Sequence, residues 1–203
     1  MTEKIIVYDF DKTLTYKDTL FGFFYATIKN PLFDFPKLTI YIGSMVLAKF
    51  KVISNSRLKE IGVELFLKGK SSHDITLLSQ KYARLIPFNN LYETFHVDSQ
   101  NDYFIISASF EEYLYPLFSK DVHIIGSVLS YDGDKVSGLK FNCYKEKKVL
   151  ALKQRGIEEI DLLYTDSYSD VALAKISKKI VIVDGDKLIE VGNIDEFKRY
   201  FKR

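Results

Sequence analysis

The chain has 203 residues, of which 47% are hydrophobic and 28% are charged. This composition is typical of a globular protein with one domain, or with one core domain that carries an insertion. The formal net charge is only +2 and the charges are mixed along the chain, so we expect no nucleic-acid partner.

The cysteine content and the apolar stretches indicate the compartment. Cys143 is the only cysteine, so an internal disulfide is excluded. Asp9 interrupts the first apolar run, which leaves no apolar segment of the kind found in a secretory signal peptide. Residues 38–50 are the most apolar stretch, but they contain Lys49 and are shorter than the roughly 20 residues that span a bilayer. We expect a cytoplasmic protein without a transmembrane segment, and contact with a membrane surface stays an alternative.

The predicted elements begin with a strand and continue with a long helical block. Residues 4–9 are a short, β-branched and apolar run that precedes the polar segment DFDKT, as in a buried strand. Helical periodicity covers roughly residues 18–86, with Asn55 or Ser56 as an N-cap within it, and no convincing strand occurs there.

After this block, strand and helix patterns alternate. Strands are predicted at 103–107, 161–166 and 179–185, and a strand with a hairpin at Asp132-Gly133 is predicted within 123–138. Helices are predicted at 110–120, 145–156, 169–175 and from Ile194 onward. Strands joined by helices predict an α/β fold with a Rossmann-like parallel sheet core and helices on both faces.

Acidic and hydroxyl side chains follow three of the predicted strands: Asp9 and Asp11, Ser107 and Ser109, and Asp166 and Asp170. The carboxyl ends of parallel strands meet at one edge of a sheet, so we expect these groups to converge. Converging carboxylates repel one another unless a cation neutralises them, and oxygen ligands without histidine or cysteine suit Mg²⁺. Such a site fits phosphoryl transfer, with Ser107 donating to the phosphate and Lys148 or a neighbour supplying positive charge.

Four segments, DFDKTLT, FIISAS, CYKEKKVLAL and YTDSYSD, follow one another in this order. They resemble the four motifs of the haloacid dehalogenase-like superfamily of phosphatases. More narrowly, the chain is similar to the branch of phosphoserine phosphatases and phosphatidylglycerophosphate phosphatases, in which an all-helical cap is inserted between motifs one and two. The resemblance implies a phosphatase core at 1–15 and 101–203, a cap at 16–100, and hydrolysis of a small or lipid-linked phosphomonoester through an aspartyl-phosphate.

The same resemblance implies a role for each catalytic residue. Asp9 is the nucleophile and a Mg²⁺ ligand. Asp11 is the general acid and then the general base, and its backbone carbonyl faces the metal. Ser107 binds the phosphoryl group, and Lys148 stabilises its charge.

Further roles concern the metal and the substrate. Asp166 is implied as the second carboxylate on Mg²⁺, and Asp170 as a residue that holds a metal-bound water or orients the lysine. Ser109 is a further candidate for phosphate binding. Asp18 and Arg57 stand where the branch contacts the organic part of its substrate, although Asp18 also suits the start of a helix.

The chain departs from the branch pattern at four positions. Lys145 and Lys147 replace a glycine and a glutamate in motif three, so both compete with Lys148 for the role of the catalytic lysine. Lys12 stands where glycine is common, and Phe110 stands where proline is frequent. None of these departures removes a reacting group.

The same motifs allow other families and functions. The triplet Asp11-Lys12-Thr13 also resembles the phosphorylation site of cation-pumping ATPases, but those pumps need transmembrane helices and a glycine where Leu14 stands. Asp11 favours phosphate chemistry, because dehalogenases of this fold lack an acid two positions after the nucleophile. A phosphotransferase or mutase, and a non-catalytic phosphate-binding protein, stay as alternatives. The apolar cap helices either pack internally or admit an apolar phosphate ester.

Overall fold

A computed structural model describes residues 4–202 and contains one sheet of seven strands. The strands are β1 (Lys4–Tyr8), β2 (Asn101–Phe110), β3 (Val122–Asp132), β4 (Lys135–Phe141), β5 (Ile160–Thr165), β6 (Ser177–Asp184) and β7 (Lys187–Val191). Their order in the sheet is β4-β3-β2-β1-β5-β6-β7. The five inner strands run parallel, and β4 and β7 are antiparallel edge strands.

Helices occur in two groups along the chain. Between β1 and β2 lie α1 (Leu20–Tyr25), α2 (Pro31–Lys49), α3 (Asn55–Gly62), α4 (Ser72–Ala83) and α5 (Asn90–Glu93). After β2 come α6 (Glu111–Leu114), α7 (Glu146–Lys153), α8 (Val171–Ala174) and α9 (Ile194–Tyr200). Within residues 4–202, no helix is both long and apolar enough to cross a membrane. The predicted α/β fold with an inserted helical block is confirmed.

Two local predictions need correction. The N-cap of α3 is Ser54, whose hydroxyl accepts a hydrogen bond from the backbone N–H of Arg57, so the cap lies one or two residues before the predicted ones. The strand predicted at 179–185 begins earlier, at Ser177, and turns at Gly185 into β7, which the sequence pattern did not predict. Gly185 has a φ of +62°, a conformation that glycine adopts without steric cost.

Hydrophobic residues cover both faces of the sheet. Successive side chains of a strand point to opposite faces, so Tyr8 and Ile105 belong to one cluster while Val7 and Ile106 belong to the other. The first cluster also contains aromatic residues of the helical block, including Phe23, Phe24, Tyr41 and Phe66. The second is mainly aliphatic and contains residues of α7, α8 and α9. The helical block therefore shares a hydrophobic core with one face of the sheet.

The strand register sets the position of the site. Tyr8 of β1 pairs with Ile105 of β2 on one side and with Tyr164 of β5 on the other. All three strands run in the same direction, so the segments that follow them leave the sheet at the same edge.

Candidate active site

A buried lysine lies between two aspartates at the carboxyl edge of the sheet. The Nζ of Lys148, from the first turn of α7, is 2.8 Å from Asp9 Oδ1 and 2.7 Å from Asp170 Oδ1. All three side chains are buried. Thr165 at the end of β5 donates a hydrogen bond of 2.8 Å to the other oxygen of Asp170. Strand ends and the start of α7 thus bring together groups from distant parts of the chain.

The electrostatics of this cluster are dominated by burial and by the opposite charges. Burial alone would lower the pKa of Lys148, but Asp170 and Asp9 outweigh it, and the net pKa lies above the ordinary value. Burial raises the pKa of Asp9; Lys148 opposes this rise, while Asp170 and Asp166 add to it. Lys148 is therefore held in its protonated form, and its charge offsets only part of the effect of burial and of the neighbouring acids on Asp9.

The structure distinguishes Lys148 from the two competing lysines. Lys145 and Lys147 are exposed, and the Nζ of Lys145 lies 5.3 Å from the centre of the Tyr144 ring. Lys145 has a φ of +55°, and Lys12 has a φ of +59°. Both lysines stand where the branch pattern has glycine, and an L-residue in this region costs about 1–2 kcal/mol. The two departures from the pattern are thus tolerated at a local backbone cost.

Asp166 completes the acidic side of the site. Its backbone N–H donates to Thr13 Oγ1 at 3.0 Å, and its charge is one of the influences that raise the pKa of Asp9. Burial and Asp170 raise the pKa of Asp166 to about 6, against the opposing charge of Lys12.

This acidic pair fits a divalent cation. In the described part of the chain, no group of three or more His, Cys, Asp or Glu side chains forms a metal-binding cluster. Mg²⁺ needs only one or two carboxylates, because it keeps several waters and binds substrate phosphate. Asp9 and Asp166 both have raised pKa values, and the charge of Asp166 contributes to the rise at Asp9, so a hard cation would relieve their repulsion.

Asp11 occupies a separate environment. Its carboxylate accepts hydrogen bonds from the backbone N–H of Thr19 (2.8 Å), from the Thr19 hydroxyl (2.6 Å) and from the Ser109 hydroxyl (2.5 Å). Burial and the charge of Asp18 raise the pKa of Asp11 to about 6, although these hydrogen bonds act in the opposite direction. A pKa of this size suits a group that gives and takes a proton near neutral pH.

The two serines lie within the last residues of β2, which extends beyond the predicted end at 107, and they are buried and connected to each other. The backbone N–H of Ser109 donates to the Ser107 hydroxyl at 3.0 Å, and the Ser109 hydroxyl holds Asp11 as described. Thr19, which sequence reasoning missed, bonds to Asp11 from the start of α1. No local pattern distinguishes Thr19, because its partner lies eight residues earlier in the chain.

Lys59 is a second buried lysine that sequence reasoning missed. It lies on α3, and its Nζ donates to Ala108 O (2.6 Å), Asn142 Oδ1 (2.5 Å) and Ser127 Oγ (3.0 Å). Burial lowers its pKa to about 8, and Cys143 and Asp11 are the leading opposing influences. The sequence did contain a signal, because Lys59 shares a helical face with Gly62 and Phe66, which are buried.

A cleft of about 530 Å³ lies beside the end of β2, between Ala108 and the helical block. Its lining includes the apolar side chains Phe21, Tyr41, Met45 and Leu58 together with Lys59 and Asp18. Asp18 also accepts a hydrogen bond from Leu20 N–H at 3.0 Å, which agrees with its predicted position at the start of a helix, while its contact with the substrate stays a prediction.

Arg57 is not brought to this cleft. Its side chain is half exposed and pairs with Glu60 at 3.0 Å and with Glu64 at 3.7 Å along the helical block. The remaining predicted site residues lie at the carboxyl edge of the sheet or in the adjoining cleft.

The parallel sheet, with buried carboxylates and a buried lysine at its carboxyl edge, defines an enzyme of the α/β class. The family model of haloacid dehalogenase-like hydrolases matches residues 6–175, and the chain belongs to this family. No curated protein sequence matches the chain.

Solved structures share the fold at low sequence identity. A protein of unknown function from Bordetella pertussis has a TM-score of 0.65 and 17% identity, over 86% of each chain. A phosphoserine phosphohydrolase-like protein from Francisella tularensis has a TM-score of 0.61 and 16% identity, over 97% of this chain and 99% of its own. Phosphoserine phosphatase from T. onnurineus has a TM-score of 0.53 and 18% identity, over 100% and 96%. The predicted family and fold are confirmed.

Proposed function

We propose that the protein is a Mg²⁺-dependent phosphomonoester hydrolase with Asp9 as its nucleophile. The observation that carries the proposal is the buried contact of Asp9 with Lys148, beside a second carboxyl group, Asp11, in a separate hydrogen-bonded environment. Membership of a hydrolase family supports it, and so does the fold shared with phosphoserine phosphatases.

The two carboxyl groups suit two different roles. Lys148 lies against Asp9 and favours its charged form, which is the form that attacks phosphorus. Asp11, with a pKa raised to about 6, can carry a proton to and from the reacting oxygen.

The reaction then has two steps. A carboxylate oxygen of Asp9 forms a bond to phosphorus while the ester P–O bond breaks, and Asp11 protonates the departing alcohol. Asp11, now a carboxylate, takes a proton from water, which attacks phosphorus and releases phosphate and free Asp9. The Ser107 hydroxyl and Lys148 bind the phosphoryl oxygens in both steps.

Asp9 and Asp166 would hold Mg²⁺, together with the backbone carbonyl of Asp11. Asp170 would orient Lys148 through their ion pair. The cation supplies positive charge that offsets the phosphate oxygens and the acidic pair. Loss of activity in a chelator and its recovery with added Mg²⁺ would test this part.

The cleft indicates the kind of alcohol that the enzyme releases. Its walls are largely apolar. The ammonium group of Lys59 and the guanidinium group of Arg57 already bind acceptors of the protein itself. A free serine moiety needs charged partners for both its ammonium and its carboxylate. We therefore favour an apolar or lipid-linked phosphomonoester as substrate, with residues 16–100 acting as the cap over the site.

The decisive experiment compares Asp9→Asn with a control, Asp102→Asn. Asp102 is an exposed residue near the opposite end of β2, so its variant should hydrolyse an aryl phosphate like wild type. Asp9→Asn should lose turnover by more than about 10³-fold, because the amide cannot attack phosphorus. Wild type should also form a phosphoenzyme that hydroxylamine cleaves. Wild-type turnover by Asp9→Asn would reject the nucleophile, and phosphate transfer to an added alcohol rather than to water would identify a phosphotransferase.

A further inference from the structure

Helix α2 exposes more large apolar side chains than it buries. The residues that face the rest of the protein are buried or half buried and include polar ones: Asp34, Leu38, Tyr41, Ser44 and Ala48. The solvent side instead exposes large apolar residues: Leu32 (87% exposed), Phe35 (65%), Val46, Leu47 and Phe50 (74%). A helix on a protein surface normally turns its apolar residues inward and its charged residues outward.

The helical geometry makes this apolar surface continuous. At 3.6 residues per turn, the side opposite Tyr41 and Ser44 carries Leu32, Phe35, Pro36, Thr39, Gly43, Val46, Leu47 and Phe50. The charged residues of the helix are Asp34, Lys37 and Lys49, and none of them lies at the centre of this side. We call these eight residues the outer face; it extends over about 28 Å, the length of a 19-residue helix.

Lysines gather where the outer face ends. A cleft of about 690 Å³ next to the last turn of α2 is lined by Lys49, Lys51, Lys145 and Lys147, all of them exposed. Glu146 is the acid in this lining. An apolar helical face bordered by lysines matches an anionic lipid surface, because the face enters the acyl boundary while the lysines meet the headgroup phosphates.

The lysine-lined cleft adjoins the cleft of about 530 Å³ beside the end of β2, which we call the active-site cleft. Asn55 and Tyr144 line both of them. Tyr41 and Met45 of α2 line the active-site cleft while the outer face points away from it. A phosphate at the depth of the lipid headgroups would therefore lie next to the entrance of the active-site cleft.

We propose that α2 binds the surface of an anionic lipid bilayer, with its outer face in the headgroup–acyl boundary. Lys49, Lys51, Lys145 and Lys147 contact the lipid phosphates. A second copy of the chain would account for the apolar residues alone, whereas an anionic bilayer accounts for both the apolar residues and the lysines beside them. The proposal is independent of the nucleophile assigned above, because binding needs no turnover.

The chain has no tryptophan, which provides a clean probe. Phe35→Trp places a single tryptophan on the outer face, and Leu188→Trp places one on β7, where Leu188 is 52% exposed. With phosphatidylglycerol-containing vesicles, the emission of Phe35→Trp should shift to the blue, and that of Leu188→Trp should not. Pure phosphatidylcholine vesicles should produce a much smaller shift. An unshifted Phe35→Trp, or equal shifts of both probes, would overturn the proposal.

Co-sedimentation with the same vesicles separates binding from catalysis. The double variant Val46→Asp/Phe50→Asp should lose vesicle binding by about tenfold or more, because two apolar side chains no longer leave water. Its circular dichroism and its turnover of a soluble aryl phosphate should match wild type. Lys49→Gln/Lys51→Gln should weaken binding and reduce its dependence on salt. A wild type that is dimeric without vesicles, and monomeric in the aspartate variant, would assign the outer face to a second copy instead.

Discussion

One buried lysine lies on the sheet side of the candidate site and another lies on the side of the helical block, and the two lysines differ in their partners. On the sheet side, Lys148 contacts the carboxylates of Asp9 and Asp170, and its pKa is raised. On the helical side, Lys59 contacts a carbonyl, a hydroxyl and an amide oxygen, and its pKa is lowered to about 8. Both side chains are almost fully buried, so burial alone does not decide their behaviour.

The difference in partners indicates a different role for each lysine. Opposite charges hold Lys148 in its protonated form, ready to stabilise further negative charge on a phosphate. Neutral acceptors leave the cost of burying Lys59 largely in place, and this lysine connects α3 to Ala108 at the end of β2. Lys148 on the sheet side is therefore suited to stabilise negative charge, and Lys59 on the helical side is suited to connect two parts of the fold. Four substitutions test this contrast.

The largest effect is expected for Asp11→Asn. An alkyl phosphate has a poor leaving group, so loss of the acid should lower its turnover by about 10³-fold. An activated aryl phosphate needs less protonation and should lose much less. The control is Asp102→Asn, near the opposite end of β2, which should leave the turnover of both esters close to that of wild type. Equal losses for both esters would show that Asp11 does not protonate the leaving oxygen.

Lys148→Met should lower kcat/KM by about 10²-fold or more, because the phosphoryl charge loses a buried donor. Lys147→Met changes an exposed neighbour one position away and should stay within about twofold of wild type. Steady-state kinetics on one ester would compare the two variants. A large loss in Lys147→Met would instead assign the motif-three role to that lysine.

Lys59→Met should act on stability and not on the chemical step. The pKa of Lys59 falls from 10.5 to about 8 on folding, so the unfolded chain holds an additional proton between these pH values. The stability of wild type relative to Lys59→Met should therefore rise as pH increases from 8 to 10.5, by up to about 3 kcal/mol. The charged groups that influence Lys59 are Asp11, Asp18, Cys143 and Lys148. Urea unfolding across this pH range measures the difference, and a flat difference would show that its three acceptors offset the cost of burial.

Arg57→Gln should have the smallest effect. Its partners Glu60 and Glu64 are themselves about half exposed, and surface ion pairs of this kind contribute roughly 0–1 kcal/mol. We expect kcat/KM to change by less than about twofold for any phosphomonoester. A selective rise in KM for phosphoserine would place Arg57 at the substrate after all.

Sequence reasoning reached the strand-end groups because their position follows from a simple rule. Asp9, Asp11, Asp166 and Asp170 each come directly after a predicted strand, and parallel strands bring their ends to one edge. Lys148 was favoured over its neighbours, and the structure places it within 2.8 Å of Asp9. The roles of these residues stay predictions until the variants are measured.

The features that were missed depend on contacts between distant segments or on weak local patterns. Lys59 meets Ala108, Ser127 and Asn142 only after the chain has folded. The edge strand β7 (Lys187–Val191) contains the charged residues Lys187 and Glu190, and its five residues give little hydrophobic signal.

The aromatic cluster between the helical block and the sheet has a consequence for folding. Phe110, at the end of β2, lies 5.9 Å from Phe23 and 6.0 Å from Phe24 of α1, measured between ring centres. A boundary between two independently folding units would have to divide this shared core. The helical block and the sheet should therefore unfold in a single cooperative transition, at one denaturant concentration. For the same reason we do not expect α1 to swing away from the sheet as a rigid lid.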